Sequence, residues 1–140
     1  MDDIKDILGV IRACPTVQLA TFALDGFPET RTVMNAMNSD AEGFPLHFLT
    51  STSSHKIEQL RKNPHCCLYF LDIATRHAAT LFGTISEISD PARKVASWRP
   101  DWTGFGYGGP SDPEYDLLEF SAAKYKFYIG KTEHTGDINV

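Results

Sequence analysis

The chain has 140 residues, of which 42% are hydrophobic and 22% are charged, a composition typical of a single folded domain with one core. Its formal net charge of -5 argues against nucleic acid as a partner, because the surface as a whole would repel phosphate. No apolar run approaches the ~20 residues that a bilayer span needs, and the acidic opening is unlike a secretory signal. Three cysteines, an odd number, predict reduced thiols and a cytoplasmic location.

The first elements in chain order are a helix and a β-hairpin. Apolar residues recur at helical spacing from Ile4 to Ile11, Asp2 or Asp3 is placed to cap the helix, and Pro15 ends it. Two β-type runs, residues 17–24 and 28–35, flank Asp25-Gly26. Because Asp and Gly both tolerate a positive φ, this pair predicts a hairpin turn. Residues 46–50 follow as the next strand.

The middle of the chain predicts a short helix and two strands. The helix covers residues 54–62 and ends before Pro64. Residues 65–71 are nearly all apolar, which indicates a strand buried on both faces. Residues 77–88 form a longer strand in which Gly83 marks a bulge or bend.

The last part of the chain predicts one more helix, a loop and one more strand. Asp90-Pro91 combines a cap with proline at the first helical position, and the helix stops before Pro100. Residues 102–113 are rich in glycine and proline and predict a loop. Residues 117–129 supply strand material that is interrupted near Ala122. The predicted fold is a mainly β (α+β) single domain over residues 1–140, with six antiparallel strands in a small barrel and short flanking helices.

Two segments gather groups suited to holding a phosphate. In the alternating run at residues 31–34, Arg31 and Val33 face one way while Thr32 and Met34 face the other. Residues 48–56 leave a strand, pass through a run of hydroxyl side chains and enter a helix, where free backbone N–H groups attract anions. A lysine in the first turn, Lys56, is unfavourable for the helix dipole unless an anion binds there.

These segments resemble the pyridoxamine 5'-phosphate oxidase-like flavoproteins, and later segments resemble the short general-stress-protein branch of that family. The resemblance rests on the order of several motifs: residues 18–21, 25–28, 31–34, 48–51, 54–56, 90–93 and 109–113, with Trp98. It implies a split β-barrel that forms a homodimer, with two FMN sites where the subunits meet. FMN is therefore the expected cofactor. No metal site, membrane contact or nucleic-acid partner is expected.

The resemblance also implies which residues hold FMN. Arg31 and the backbone of Thr32, Val33 and Met34 would run along the flavin and its phosphate. Leu49 and Thr50 would lie beside the ribityl chain and phosphate, followed by Ser51. A basic pair on the phosphate, usually Arg-Lys in the oxidase, matches His55-Lys56 after Ser54.

Three departures from the oxidase pattern weaken the inference to vitamin chemistry. His55 replaces the usual arginine, and imidazole is mostly neutral near pH 7, which predicts weaker and more pH-dependent phosphate binding. Ala78 stands where the oxidase carries a glutamine that contacts the cofactor. The chain also lacks the C-terminal Trp and Arg segment with which true oxidases hold flavin and substrate.

Other interpretations stay open at this point. Arg31 could be a surface residue paired with Glu29 or Glu58, and the hydroxyl run could be a plain helix cap. His65 and Cys67 put two metal-ligand types on one strand face, without a second pair at ligand spacing. No residue can be assigned as catalytic. The protein could be an oxidoreductase on an unidentified substrate, a non-catalytic flavin-binding or stress-response protein, or a related barrel that binds deazaflavin or haem.

The predicted dimer interface rests on aromatic residues. The segment from Trp98 to Tyr107 carries four aromatic side chains that a lone barrel of this size would leave poorly covered. A large exposed apolar patch usually marks an interface. These aromatics could serve as core or dimer packing, which the sequence favours, or as a lid on the flavin ring, and the predicted dimer rests on them.

Overall fold

The computed structural model describes residues 3–138, which form three α-helices, seven strands and two short 3-10 helices. The helices are α1 (Asp3–Ala13), α2 (His55–Lys62) and α3 (Pro91–Ser97), and the 3-10 helices are Ala36–Asn38 and Pro100–Phe105. The strands are β1 (Thr16–Phe22), β2 (Pro28–Met34), β3 (Leu46–Ser51), β4 (His65–Asp72), β5 (His77–Ile88), β6 (Tyr115–Ile129) and β7 (Thr132–Asp137). No helix among these residues is long and apolar enough to cross a membrane.

The strands form one antiparallel sheet in the order β2-β1-β4-β5-β6-β3, with β7 paired to β6. The mainly β prediction is confirmed, but the predicted strand number is wrong by one. The sequence of β7, Thr-Glu-His-Thr-Gly-Asp, is polar throughout and four of its six residues are exposed, so it lacks the apolar alternation that reveals a strand. The polar strand is held by its backbone pairing to β6.

The predicted hairpin and bend are both confirmed. β1 pairs with β2 along its whole length, and Gly26 in the turn has a φ of 91°. The register of β5 against β6 shifts at Gly83, which faces Ala122, and Ala123 is the extra residue on β6. A Cβ atom on Gly83 would lie 2.0 Å from the carbonyl oxygen of Ser121, so only glycine fits where the two backbones meet.

Strand β4 corrects the prediction of burial on both faces. Its residues alternate between buried and exposed, and Tyr69 and Leu71 are 40% and 46% exposed. Leu68 and Phe70, which point the other way, are fully buried in the main core. The apolar sequence of β4 therefore forms one buried face and one exposed apolar face.

The aromatic residues near Trp98 form a second small core within the chain. Trp102 is 1% exposed and packs edge-to-face against Trp98, while Tyr107 and Tyr115 complete the cluster. The prediction that a lone barrel leaves these residues uncovered is wrong, apart from Phe105, which is half-exposed. They are covered because residues 100–105, which overlap the start of the loop predicted over residues 102–113, coil into a 3-10 helix and turn Trp102 inward.

Of the three helix starts, only that of α3 agrees with its sequence signal. Asp90 accepts a hydrogen bond from the backbone N–H of Ala92, as expected of the α3 cap. Asp3 lies inside α1 and binds Tyr125 and His134 in place of a cap, whereas Asp2 lies outside the described residues. The start of α2 differs from expectation and belongs to the candidate site.

Candidate functional site

The sheet has an open seam between its two end strands. Within the described residues β2 pairs only with β1, and β3 pairs only with β6. The two strands nevertheless come close to each other without pairing, so the barrel is split along this line. Helix α2 begins four residues after β3 ends, which puts its N-terminus at the seam. Every second N–H and C=O group of β2 therefore points toward the seam without a strand partner.

Arg31 lies on the inner side of β2, where it is half-buried. Its Nη1 donates to Thr21 Oγ1 at 2.6 Å and to the carbonyl oxygen of Leu19 at 3.3 Å, and its Nη2 donates to Gln59 Oε1 at 3.1 Å. Burial lowers the pKa of the guanidinium, an effect opposed by Glu29, whose carboxylate lies 3.5 Å away. The predicted pairing with Glu29 is thus present. Arg31 is nevertheless fixed by hydrogen bonds to β1 and α2 and is not a free surface side chain.

Lys56 brings a second positive charge to the same place. Burial lowers the pKa of its ammonium group, and the charge of Arg31 lowers it further. In the part of the chain that the structure describes, no carboxylate lies within ion-pair distance of Lys56. Two neighbouring cations, one of them half-buried and unpaired, favour an anion between them.

Ser54 adds an unused hydrogen-bonding group beside Lys56. It occupies the N-cap position of α2 with extended backbone angles, but its side chain caps nothing. Its Oγ is buried and has no partner among the described atoms. The interpretation of the hydroxyl run as a plain cap is therefore wrong for Ser54. A buried hydroxyl without a partner is costly unless a ligand or water satisfies it.

The neighbouring hydroxyl groups are already engaged within the chain. Ser51 Oγ lies 2.9 Å from the Tyr107 hydroxyl, and Thr52 and Ser53 bind the backbone and side chain of residues 113 and 114. These bonds anchor the connection between β3 and α2 to the start of β6. The loop that carries Ser54 is therefore fixed at both ends.

Of the other residues expected to hold FMN, some face the seam and others lie elsewhere. Val33 is buried on the side of Arg31, whereas Thr32 and Met34 are exposed on the opposite face, where Thr32 Oγ1 donates to Gln18. Leu49 packs against the aromatic cluster, and Thr50 is buried at the end of β3. Arg31 and Lys56 therefore lie near each other, with Ser54 two residues before Lys56 at the start of α2, and Thr32 and Met34 can contribute only backbone.

His55 is exposed at the first position of α2. No ion pair or hydrogen bond holds its ring among the described residues. It can therefore turn toward a ligand at the helix start, and its expected role remains a prediction.

Two seam residues escaped the sequence reasoning. Gln59 is buried three residues after Lys56 on α2, and it links Arg31 to Glu29 through its Nε2, which donates to Glu29 at 3.0 Å. Thr21 is buried on β1 and bonds both Arg31 and Gln59. A polar Gln on the apolar side of an amphipathic helix was the available signal.

The suspected metal position on β4 gains no support from its surroundings. His65 is exposed and its Nδ1 lies 3.1 Å from Asn63 Oδ1, while Cys67 is half-buried. Within residues 3–138 no cluster of three or more His, Cys, Asp or Glu side chains could hold a metal ion.

Comparison with known proteins decides the family. The model of the pyridoxamine 5'-phosphate oxidase family matches residues 4–128, nearly the whole chain. The chain belongs to this family. A curated relative, the pyridoxine/pyridoxamine 5'-phosphate oxidase of Crocosphaera subtropica, is 29% identical over 122 residues, which are 82% of this chain and 56% of the relative. The chain thus spans little more than half the length of that oxidase.

Solved structures of the family have the same fold. A Clostridium acetobutylicum protein related to general stress protein 26 is 27% identical with a TM-score of 0.82, and the match covers 95% of this chain and 92% of that one. An FMN-binding, pyridoxamine 5'-phosphate oxidase-related protein of Nostoc punctiforme is 19% identical with a TM-score of 0.67, covering 99% and 93%. The expected split-barrel fold and the resemblance to general stress proteins are confirmed.

Proposed function

We propose that this chain is an FMN-binding flavoprotein that uses its cofactor in an oxidoreductase reaction on a small molecule. The observation that carries the proposal is the meeting of Arg31 and Lys56 beside Ser54 at the start of α2. Lys56 has a cationic neighbour, no carboxylate partner among the described residues and a pKa lowered by burial. A phosphate of about two negative charges would relieve all of these costs at once.

Each residue of the seam has a role that follows from its position. Lys56 and Arg31 would neutralise the phosphate, and Ser54 Oγ would donate to one of its oxygens. The first backbone N–H groups of α2 point the same way. Thr21 and Gln59 hold the Arg31 guanidinium in place.

The backbone of β2 would serve the ring end of the cofactor. Thr32 and Met34 turn their side chains away from the seam, which leaves main-chain groups of this strand to face a planar ligand. Bound FMN would supply the redox chemistry, and hydrogen bonds from the protein would tune its potential. Among residues 3–138 no carboxylate or imidazole is assigned as a dedicated acid or base, so solvent would supply protons.

The test is the absorption spectrum of the purified protein, followed by titration with FMN. We expect flavin bands, or quenching of FMN fluorescence that saturates at one FMN per chain. Haem or deazaflavin bands, or no quenching, would contradict the proposal. Bleaching of the bound flavin by a nicotinamide donor distinguishes an enzyme from a protein that only binds the cofactor.

The proposal includes a homodimer in the cytoplasm, formed through the outer face of β1, β4 and β5. The strand register places Phe22, Cys67, Tyr69, Leu71 and Phe82 on this outer sheet face, where they are partly or largely exposed. A cleft of about 470 Å³ opens there. Exposed apolar surface of this kind favours a partner, and a two-fold interface would bury over ~1,200 Å².

The interface is tested by sedimentation of the parent and of Leu71→Arg. We expect a dimer for the parent at micromolar concentration and a monomer for the variant. Val95 of α3, a side chain 56% exposed outside this sheet face, provides the control substitution Val95→Arg, which is expected to leave the dimer intact. A monomeric parent would contradict the dimer, and any cofactor site shared between subunits.

A further inference from the structure

A buried carboxyl group, Asp116, lies on β6 near Arg61 in the last turn of α2. Asp116 is 6% exposed and stands on the strand face of β6 that carries Leu118 and Phe120 of the main core. Its Oδ2 is buried and no hydrogen-bond donor reaches it within residues 3–138. An ionised carboxylate in such a position would be strongly disfavoured.

The neighbour of Asp116 is a second carboxyl group that is already bound. Glu87 on β5 pairs in register with Leu118, which makes it a diagonal neighbour of Asp116 on the same sheet face. Arg61 of α2 holds Glu87 with two bonds, Nε to Oε1 at 2.7 Å and Nη2 to Oε2 at 2.9 Å. A carboxylate accepts but cannot donate, so a bond between Asp116 and Glu87 requires a proton on one of them.

The proton belongs to Asp116. Burial raises the pKa of Asp116 to about 7, with further contributions from the hydrogen bond to Glu87 and from its negative charge. The bond from Arg61 lowers the pKa of Glu87, which therefore stays ionised. The other charged group near Asp116 is Lys94 of α3, and β3 contributes Thr50, which does not titrate in this range.

The packing beneath α2 leaves room for a change of state. A cavity of about 140 Å³ separates α2 from β5 and β6, and its walls include Arg61 and Glu87. With Asp116 neutral, one negative and one positive charge balance. With Asp116 ionised, two carboxylates share one arginine, and a shift of α2 into the adjacent cavity would have to bring donors or water to Asp116.

We propose that Arg61, Glu87 and Asp116 form a proton-operated clamp, which holds the C-terminal half of α2 on the sheet while Asp116 is neutral and loosens it when Asp116 ionises. The clamp is a device of the fold and does not depend on the proposed cofactor. Because α2 also carries Lys56 at its other end, the clamp connects pH to the helix on which the seam is built.

The effect on stability has a definite sign. The folded state binds a proton at Asp116 that the unfolded chain releases above a pKa of 3.8. Its contribution to stability is therefore full below that value, falls as the pH rises toward 7 and is lost above it. Glu87 has the opposite dependence, which is confined to more acidic pH because its pKa is lowered.

Three variants test the clamp by urea unfolding at several pH values from 5 to 8. Asp116→Asn can donate to Glu87 but cannot titrate, so the midpoint of the parent should fall relative to this variant between pH 5 and 7. Glu87→Gln frees Arg61 for Asp116, so the urea midpoint of this variant should also depend less on pH. This variant tests the clamp if Asp116→Asn does not fold. Glu133→Gln is the control, because Glu133 is an exposed β7 carboxylate paired with Lys126, and it should keep the parent's slope.

Amide hydrogen exchange, corrected for its intrinsic pH dependence, tests the location. Protection of residues 57–62 in the parent should fall as the pH rises from 5 toward 7, by up to about tenfold per pH unit because opening releases one proton, and should level off above pH 7. Protection in Asp116→Asn should stay constant, as should that of α1 in both proteins. The proposal would be overturned if the urea midpoints of the parent and Asp116→Asn changed with pH in parallel. It would also be overturned if the protection of α2 in the parent were the same at all pH values.

Discussion

Replacing Lys56 by Met is expected to weaken FMN binding without destabilising the free protein. The methionine keeps most of the half-buried stem and removes the charge. Loss of one hydrogen bond to a charged group costs about 1.5–3 kcal/mol, and at 1.4 kcal/mol per factor of ten the Kd should rise roughly 10- to 150-fold. The free protein loses a cation that burial and Arg31 both disfavour, so its free energy of unfolding should stay equal or increase.

The assay is fluorescence quenching with two ligands and a matched control. FMN should lose affinity for Lys56→Met, whereas riboflavin, which has no phosphate, should bind the variant and the parent alike. Lys62→Met removes an equal charge from the exposed last turn of the same helix, and its effect on FMN should be small. An equal loss for FMN and riboflavin would show that Lys56 acts through the fold. Unchanged FMN affinity would place the phosphate elsewhere.

Two further outcomes follow from single residues. His55→Arg should bind FMN more tightly than the parent at pH 8, because arginine is always charged and its planar fork fits a phosphate, and equal affinities of the two proteins would remove His55 from the site. Gly83→Ala should lower the free energy of unfolding by about 1–3 kcal/mol or more, because the alanine Cβ would collide with the carbonyl oxygen of Ser121. An unchanged urea midpoint would refute the close backbone contact.

The sequence by itself determined the local elements. Asp25-Gly26 required a turn because its neighbours alternate as strands, and Asp90-Pro91 marked a helix start through a cap that the structure contains. Gly83 signalled a bend because a missing side chain inside a strand permits close approach of another backbone. Such features depend on residues near one another in the chain, so local patterns are sufficient to identify them.

Prediction from the sequence failed where the identity of a residue does not determine its surroundings in the fold. The apolar run of β4 is compatible with one covered face or two, and the strand's neighbours decide between them. The aromatics around Trp98 were equally suited to an interface or a core, until the 3-10 helix turned Trp102 inward. Strand β7 has no apolar pattern and exists because β6 offers it a pairing edge.

The candidate site was likewise only partly predictable from the sequence. The hydroxyl run before α2 and the family motifs indicated Ser54 and Lys56, but their meeting with Arg31 depends on how the sheet closes around α2. Only the tertiary structure showed that Gln59 and Thr21 hold Arg31, and that Asp116 lies buried against Glu87. Hydrogen bonds between residues 10 to 30 positions apart depend on strand register and helix docking, which no local pattern encodes. Charge neutrality, burial and proton binding at these positions are therefore properties of the folded chain.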